Sequence, residues 1–140
     1  MSEPFLFVSF YVLEVALSTF ALVVSTGPTD NKTVSALNFA RTLLTMGHQV
    51  NGIFFYQDGV LNANTFVQTP SDETNLTKEW QLFNQQTATP LHLCISAAER
   101  RGLTDSNDED FYHNIVAEFT ISGLGELAVL TAKADKVVQL

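Results

Sequence analysis

Leu91-His92-Leu93-Cys94-Ile95-Ser96-Ala97-Ala98-Glu99-Arg100-Arg101-Gly102 reads as a short apolar strand that turns directly into the first turn of a helix. A strand running straight into a helix is half of a βαβ unit, and it predicts a mainly parallel sheet. The same alternation extends in both directions. Upstream, Phe20-Ala21-Leu22-Val23-Val24 is a continuous apolar run closed by Ser25-Thr26-Gly27-Pro28, so it reads as a buried strand and a loop. Asp30 is an N-cap candidate, and Val34, Leu37, Ala40, Leu43 and Leu44 recur at helical spacing until Gly47. Residues 50–56 form a second strand stopped by Asp58-Gly59. Residues 61–71, rich in Asn, Thr and Pro, read as a loop. Asp72 caps a predicted helix over 73–86, with Leu76, Trp80 and Phe83 on one face.

Downstream, residues 103–110 are polar and acidic and loop outward into a short helix over 113–117. Phe119-Thr120-Ile121 is a strand, Gly123-Leu124-Gly125 turns it into a helix over 126–133, and residues 137–140 form a last strand. The expected fold is a single-domain α/β structure, a mainly parallel sheet of about five strands with helices on both faces.

The chain has 140 residues, 46% apolar and 16% charged, a globular composition large enough for one core. Seven Lys and Arg against 15 Asp and Glu give a net charge of −8, which argues against direct nucleic-acid binding. One cysteine supplies no disulfide framework, so a reducing, cytoplasmic setting is the default. Residues 5–25 are apolar except for Glu14. A membrane span is disfavoured there, because no Lys or Arg precedes Lys32 and because the second half fits the first strand.

Two near-motifs fail on spacing. Gly27-Pro28-Thr29-Asp30-Asn31-Lys32-Thr33 stands where a phosphate loop would, but it lacks the glycine before the lysine and is one residue short. Gly123-x-Gly125-x-x-Ala128 imitates a dinucleotide fingerprint but has only twelve residues after it, so its glycines are expected to serve a tight turn and close helix packing. His48, His92 and His113 have no metal-ligand spacing with Cys94 or with one another. Asp105, Asp108, Glu109 and Asp110 read as a solvated loop, or as a docking edge near the cysteine.

Cys94 remains. It can pack as a small hydrophobe, bind a metal weakly or do sulfur chemistry with a partner. Sites in open α/β sheets gather at the carboxyl ends of strands, which is its expected address. A helix N-terminus follows it. His92, two residues earlier, shares its strand face, and Arg100 and Arg101 lie two turns on; each is a candidate to support a thiolate.

Five stretches carry a resemblance: FALVVSTGP at 20–28, GHQVNGIFFYQDGVLNAN at 47–64, CISAAERRG at 94–102, FTISGLGELA at 119–128 and the ending ADKVVQL. On these the chain resembles the DsrE/TusD sulfur-relay family over residues 18–140. The resemblance implies a YchN/DsrE-like fold, no metal or organic cofactor, and a sulfurtransferase in which Cys94 carries sulfane sulfur as a persulfide. It implies a hetero-oligomer with TusB- and TusC-like subunits, a TusA-like sulfur donor and a TusE-like acceptor. The sulfur's destination would be the 2-thio group of a tRNA wobble uridine, or, in the Dsr branch, dissimilatory sulfur oxidation. A non-catalytic assembly subunit and a phosphate-binding domain using the Gly27 loop are the competing readings. Residues 1–16 have no counterpart in the family; residues 1–17 read as an N-terminal extension, a mis-assigned start, with translation expected to begin at the Leu17 position.

Overall fold

The computed structural model describes residues 17–106 and 113–140. The chain alternates β1 (Thr19–Val24), α1 (Asn31–Thr45), β2 (Gln49–Phe55), a 3-10 helix (Gln57–Ala63), α2 (Leu76–Thr87), β3 (Leu91–Cys94), α3 (Ile95–Arg100), β4 (Phe119–Ser122), α4 (Leu124–Lys133) and β5 (Lys136–Gln139). The five strands form one sheet in the order β4-β3-β2-β1-β5, and every pair is parallel. The chain steps outward from β1 to β4, then returns across the sheet to β5. Right-handed crossovers therefore put α4 on the face opposite α1 and α2.

Side-chain alternation along β2 separates the two faces. Phe55 meets Trp80 of α2 and Phe119 of β4 edge-to-face at 5.0 and 5.1 Å. Trp80 and Phe83 are fully buried on that side, as the spacing of α2 predicts. The opposite face is the one under α4. Gly52 lies there, and a Cβ at this position would stand 2.8 Å from Leu130. A bulge at Asn51 shifts the register, pairing Phe20 with Val50 and Ala21 with Gly52. The freed Asn51 side chain donates from Nδ2 to the Leu130 carbonyl at 3.0 Å, which pins α4 to the sheet.

Helix ends follow side-chain chemistry. Asp30 caps α1 by accepting from the Lys32 N–H at 2.8 Å. α2 begins later than expected. Asn75, rather than Asp72, accepts from the Lys78 N–H at 3.1 Å, while Glu73 is held in a turn by the Pro70 carbonyl. The loop expected from residue 61 also differs. The 3-10 helix runs through Ala63 because buried Asn62 donates to the carbonyls of Gly59 and Thr26 at 2.8 and 3.0 Å. Gly59 is required here, since a Cβ would collide with the Val24 carbonyl.

The helix expected over 113–117 does not form. Ile115 makes an antiparallel bridge with Asn64. Buried Asn114 accepts from the Thr104 N–H at 2.8 Å and donates to the Gly102 carbonyl at 3.0 Å, taking the segment out of helical geometry. Of the acidic stretch, Asp105 is exposed, whereas Asp108, Glu109 and Asp110 lie outside the described residues, as does Glu14 in the front of the apolar run. Among the described residues no helix is long and apolar enough to cross a membrane.

Candidate functional site

Cys94 ends β3 and occupies the N-cap position of α3 without a side-chain cap bond, at the carboxyl edge of the sheet. It is 3% exposed, on the floor of a cleft of about 460 Å³. Tyr56 and Gln57 leave β2 on one side, Ser96, Ala97, Arg100 and Arg101 come from α3, and Leu124 opens α4 on another side. A thiol at this depth is reached by a slender group entering the cleft, not by a flat surface laid over it.

The cleft's cations differ in freedom. Arg101 is tied down: its Nε donates to Asp58 Oδ1 at 2.9 Å and its guanidinium to the Ala97 carbonyl at 3.1 Å. Arg100 is exposed and makes no ion pair among the described residues. Gln57 holds a positive φ of 51°, a costly backbone state for a residue with a side chain, at the point where the chain leaves β2 for the cleft wall.

His92 shares the Cys94 face, as alternation predicts, but its ring bonds elsewhere. Nδ1 lies 3.0 Å from Ser122 Oγ, and Nε2 lies 3.9 Å from Glu126 Oε1. Burial pulls the imidazole pKa below its ordinary 6.5, with the Glu126 charge opposing. The structure therefore brings Cys94, Arg100 and Arg101 to one cleft and directs His92 to a neighbouring polar row. Sequence reading did not find Tyr56, Gln57, Ser122, Leu124 or Glu126. Ser122 and Leu124 follow the same strand-to-helix pattern that flagged Cys94, so the rule about strand ends could have found them. Tyr56 and Gln57 also follow a strand end.

The other candidates resolve into structural roles. The Gly27 loop is filled by its own side chains: Asp30 occupies the α1 N-terminus, and the Thr33 hydroxyl bonds the carbonyls of Thr26 and Gly27. Gly123 and Gly125 do not serve close packing, because a Cβ at either would meet nothing within 4 Å and neither has a positive φ. His48 Nδ1 accepts from the Ser18 N–H at 3.0 Å, and its ring stacks edge-on against Phe20. His113 is exposed. Among the described residues no three His, Cys, Asp or Glu side chains gather as a metal site.

The DsrE/DsrF-like family model matches residues 18–140. The chain belongs to the DsrE/DsrF-like family. Relatives named sulfurtransferase TusD share its sequence over most of its length. The protein of Enterobacter sp. (strain 638) is 41% identical over 126 residues, covering 86% of this chain and 98% of that one. A TusD homolog of Haemophilus influenzae is 42% identical over 107 residues, covering 75% and 85%. The crystal structure of the ychN protein from E. coli superposes with a TM-score of 0.71 at 20% identity, covering 89% of this chain and 99% of that one. This likeness shows the fold, and the parallel five-stranded sheet with helices on both faces agrees with it. In this DsrE/DsrF-like chain the cleft at the sheet edge is lined by Cys94, Arg100 and Arg101.

Proposed function

We propose that the chain is a sulfurtransferase subunit carrying sulfane sulfur as a Cys94 persulfide between protein carriers, on the route to the 2-thio group of wobble uridine in tRNA. The observation that carries this reading is the address of Cys94: a single buried thiol on the floor of a cleft at the carboxyl edge of the sheet, with two arginines in its wall. Burial suits a persulfide, which bulk thiols would otherwise discharge.

The relay needs carriers on both sides. By family resemblance these are a TusA-like donor and a TusE-like acceptor, with TusB- and TusC-like subunits completing a hetero-oligomer in the cytoplasm. Exposed apolar side chains support a partnered surface near the cleft. Ile95, next to Cys94, is 42% exposed, and Leu124, in the cleft wall, is 59% exposed. The net charge of −8 fits protein carriers rather than direct contact with tRNA.

The test is transfer of labelled sulfur from a persulfidated TusA-like donor, through the chain, to a TusE-like acceptor. The wild type should pass the label, and Cys94→Ser should stop it. A Cys94→Ser protein that relays sulfur normally would leave Cys94 a structural residue and the chain an assembly subunit.

A further inference from the structure

His92 belongs to a polar row beside Cys94, with Ser122 and Glu126. His92 and Cys94 lie two residues apart on β3, so both side chains are on the face that α4 covers. Register across the sheet pairs Cys94 with Ser122. Adjacent strands lie about 4.8 Å apart, so Ser122 is the neighbour of Cys94 on the next strand, on the same face. Ser122 Oγ is 3.0 Å from His92 Nδ1, and His92 Nε2 faces Glu126 Oε1 at 3.9 Å. The carboxylate can only accept, so it favours the hydrogen on Nε2 and leaves Nδ1 to accept from the Ser122 hydroxyl. A contact of 3.4 Å to the Thr120 carbonyl competes only weakly for that hydrogen. With its own hydrogen directed to His92, Ser122 has lone pairs free to receive another.

We propose that Ser122 and His92, positioned by Glu126, form a proton relay serving Cys94 during sulfur transfer; this rests on the persulfide reading above. In the resting protein the sulfur has no hydrogen-bond partner among the described residues, so the relay closes by rotation of Cys94 or Ser122 about χ1. The Cys94 proton passes to Ser122 Oγ as the Ser122 hydroxyl proton passes to His92 Nδ1. The thiolate attacks the outer sulfur of a donor R–S–SH. The Cys94 Sγ–S bond forms, the donor S–S bond breaks, and its electron pair leaves on the donor sulfur. The imidazolium proton returns through Ser122 to that sulfur. The products are Cys94–S–SH and R–SH, with no net oxidation. Neutral imidazole is the form this relay needs, and burial of the ring favours it. The ionisable groups facing His92 are Glu126 from α4 and Cys94 from its own strand. β2 offers Gly52 and Phe54, and β4 offers Thr120 and Ser122, none of which titrates near neutrality.

The test is single-turnover loading of Cys94 from glutathione persulfide, followed by mass spectrometry from mildly acidic to alkaline pH, with thermal melts confirming that each variant folds. His92→Gln and Ser122→Ala should load about 10²-fold more slowly near neutrality, the scale of general acid–base catalysis. The deficit should close at alkaline pH, where solvent removes the thiol proton. Ser122→Thr, which keeps the hydroxyl, should regain most of the rate. Glu126→Gln should shift the pH at which loading changes. Wild-type pH profiles in His92→Gln and Ser122→Ala would overturn the relay and leave the persulfide reading standing, and so would a Ser122→Thr protein as slow as Ser122→Ala. A wild type that takes no sulfur would overturn the persulfide reading and the relay with it.

Discussion

Arg101 and Asp58 join the two sides of the cysteine cleft through a hydrogen-bonded ion pair, Nε to Oδ1 at 2.9 Å. Arg101 follows α3 and Asp58 lies in the 3-10 helix after β2, so the pair spans the crossover edge of the sheet. Asp58 is largely exposed, and water screens the attraction. Asp58→Asn should therefore cost at most about 1 kcal/mol of folding stability by denaturant titration. Its larger effect should be on the cleft. A released Arg101 leaves the α3 wall less fixed, and alkylation of buried Cys94 by a neutral reagent should speed up severalfold. Unchanged alkylation would mean that the pair does not hold the cleft shut.

Gly59 is the most demanding glycine in the fold. A methyl group there would collide with the Val24 carbonyl, a backbone atom that cannot swing away. Gly59→Ala should destabilise the protein by about 2 kcal/mol or more, in line with overpacking. Gly125→Ala is the control. Its Cβ meets nothing within 4 Å and it lies inside α4, so the change should be neutral or stabilising by up to about 1 kcal/mol. Chemical denaturation of the two variants reads both signs.

Trp80 anchors the face opposite Cys94. It is fully buried against Phe55 and Phe83, edge-to-face, at 5.0 and 6.0 Å. Trp80→Ala should cost about 3–5 kcal/mol, the usual range for deleting a buried indole. Trp80→Phe should recover much of that in the same denaturation experiment.

Folding stability should depend on pH through His92. The folded-state pKa lies below the ordinary 6.5, because burial outweighs the attraction of Glu126. The unfolded chain therefore takes up the proton first on acidification. Stability is fully present above about pH 6.5 and falls as pH drops toward the folded pKa. His92→Gln should flatten this part of the stability curve, and Glu126→Gln should lower the folded pKa further and steepen the loss. Melting temperatures measured across mildly acidic pH give the slope. A wild type whose stability rises on acidification through this window would contradict the sign.

The architecture was legible because each local signal agreed with the whole. The run from Phe20 to Val24 becomes a fully internal strand, Asp30 caps α1, and Leu91 to Cys94 turns into α3 without a linker. Where the expected secondary structure failed, a polar side chain took over the backbone. Asn75 displaced Asp72 as a cap, Asn62 wound the segment after β2 into a 3-10 helix, and Asn114 drew residues 113–117 into a bridge with Asn64. Each outcome turns on which backbone group a polar side chain reaches, three residues away for Asn75 and Asn62 and ten for Asn114, and hydrophobic periodicity does not encode that choice. The site was half legible for the same reason. Cys94 stood out by its place in the chain. Ser122 and Glu126 become its neighbours only through the order of strands in the sheet.

The most direct measurement incubates the wild-type chain with a persulfidated donor protein and locates added sulfur by tandem mass spectrometry of the peptide spanning Cys94. One added sulfur atom on Cys94, removed by an acceptor thiol and absent from Cys94→Ser, is the predicted result. A wild-type chain that stays unmodified beside a competent donor, or a Cys94→Ser chain that still delivers sulfur to the acceptor, would contradict the proposal that this buried thiol is the carrier.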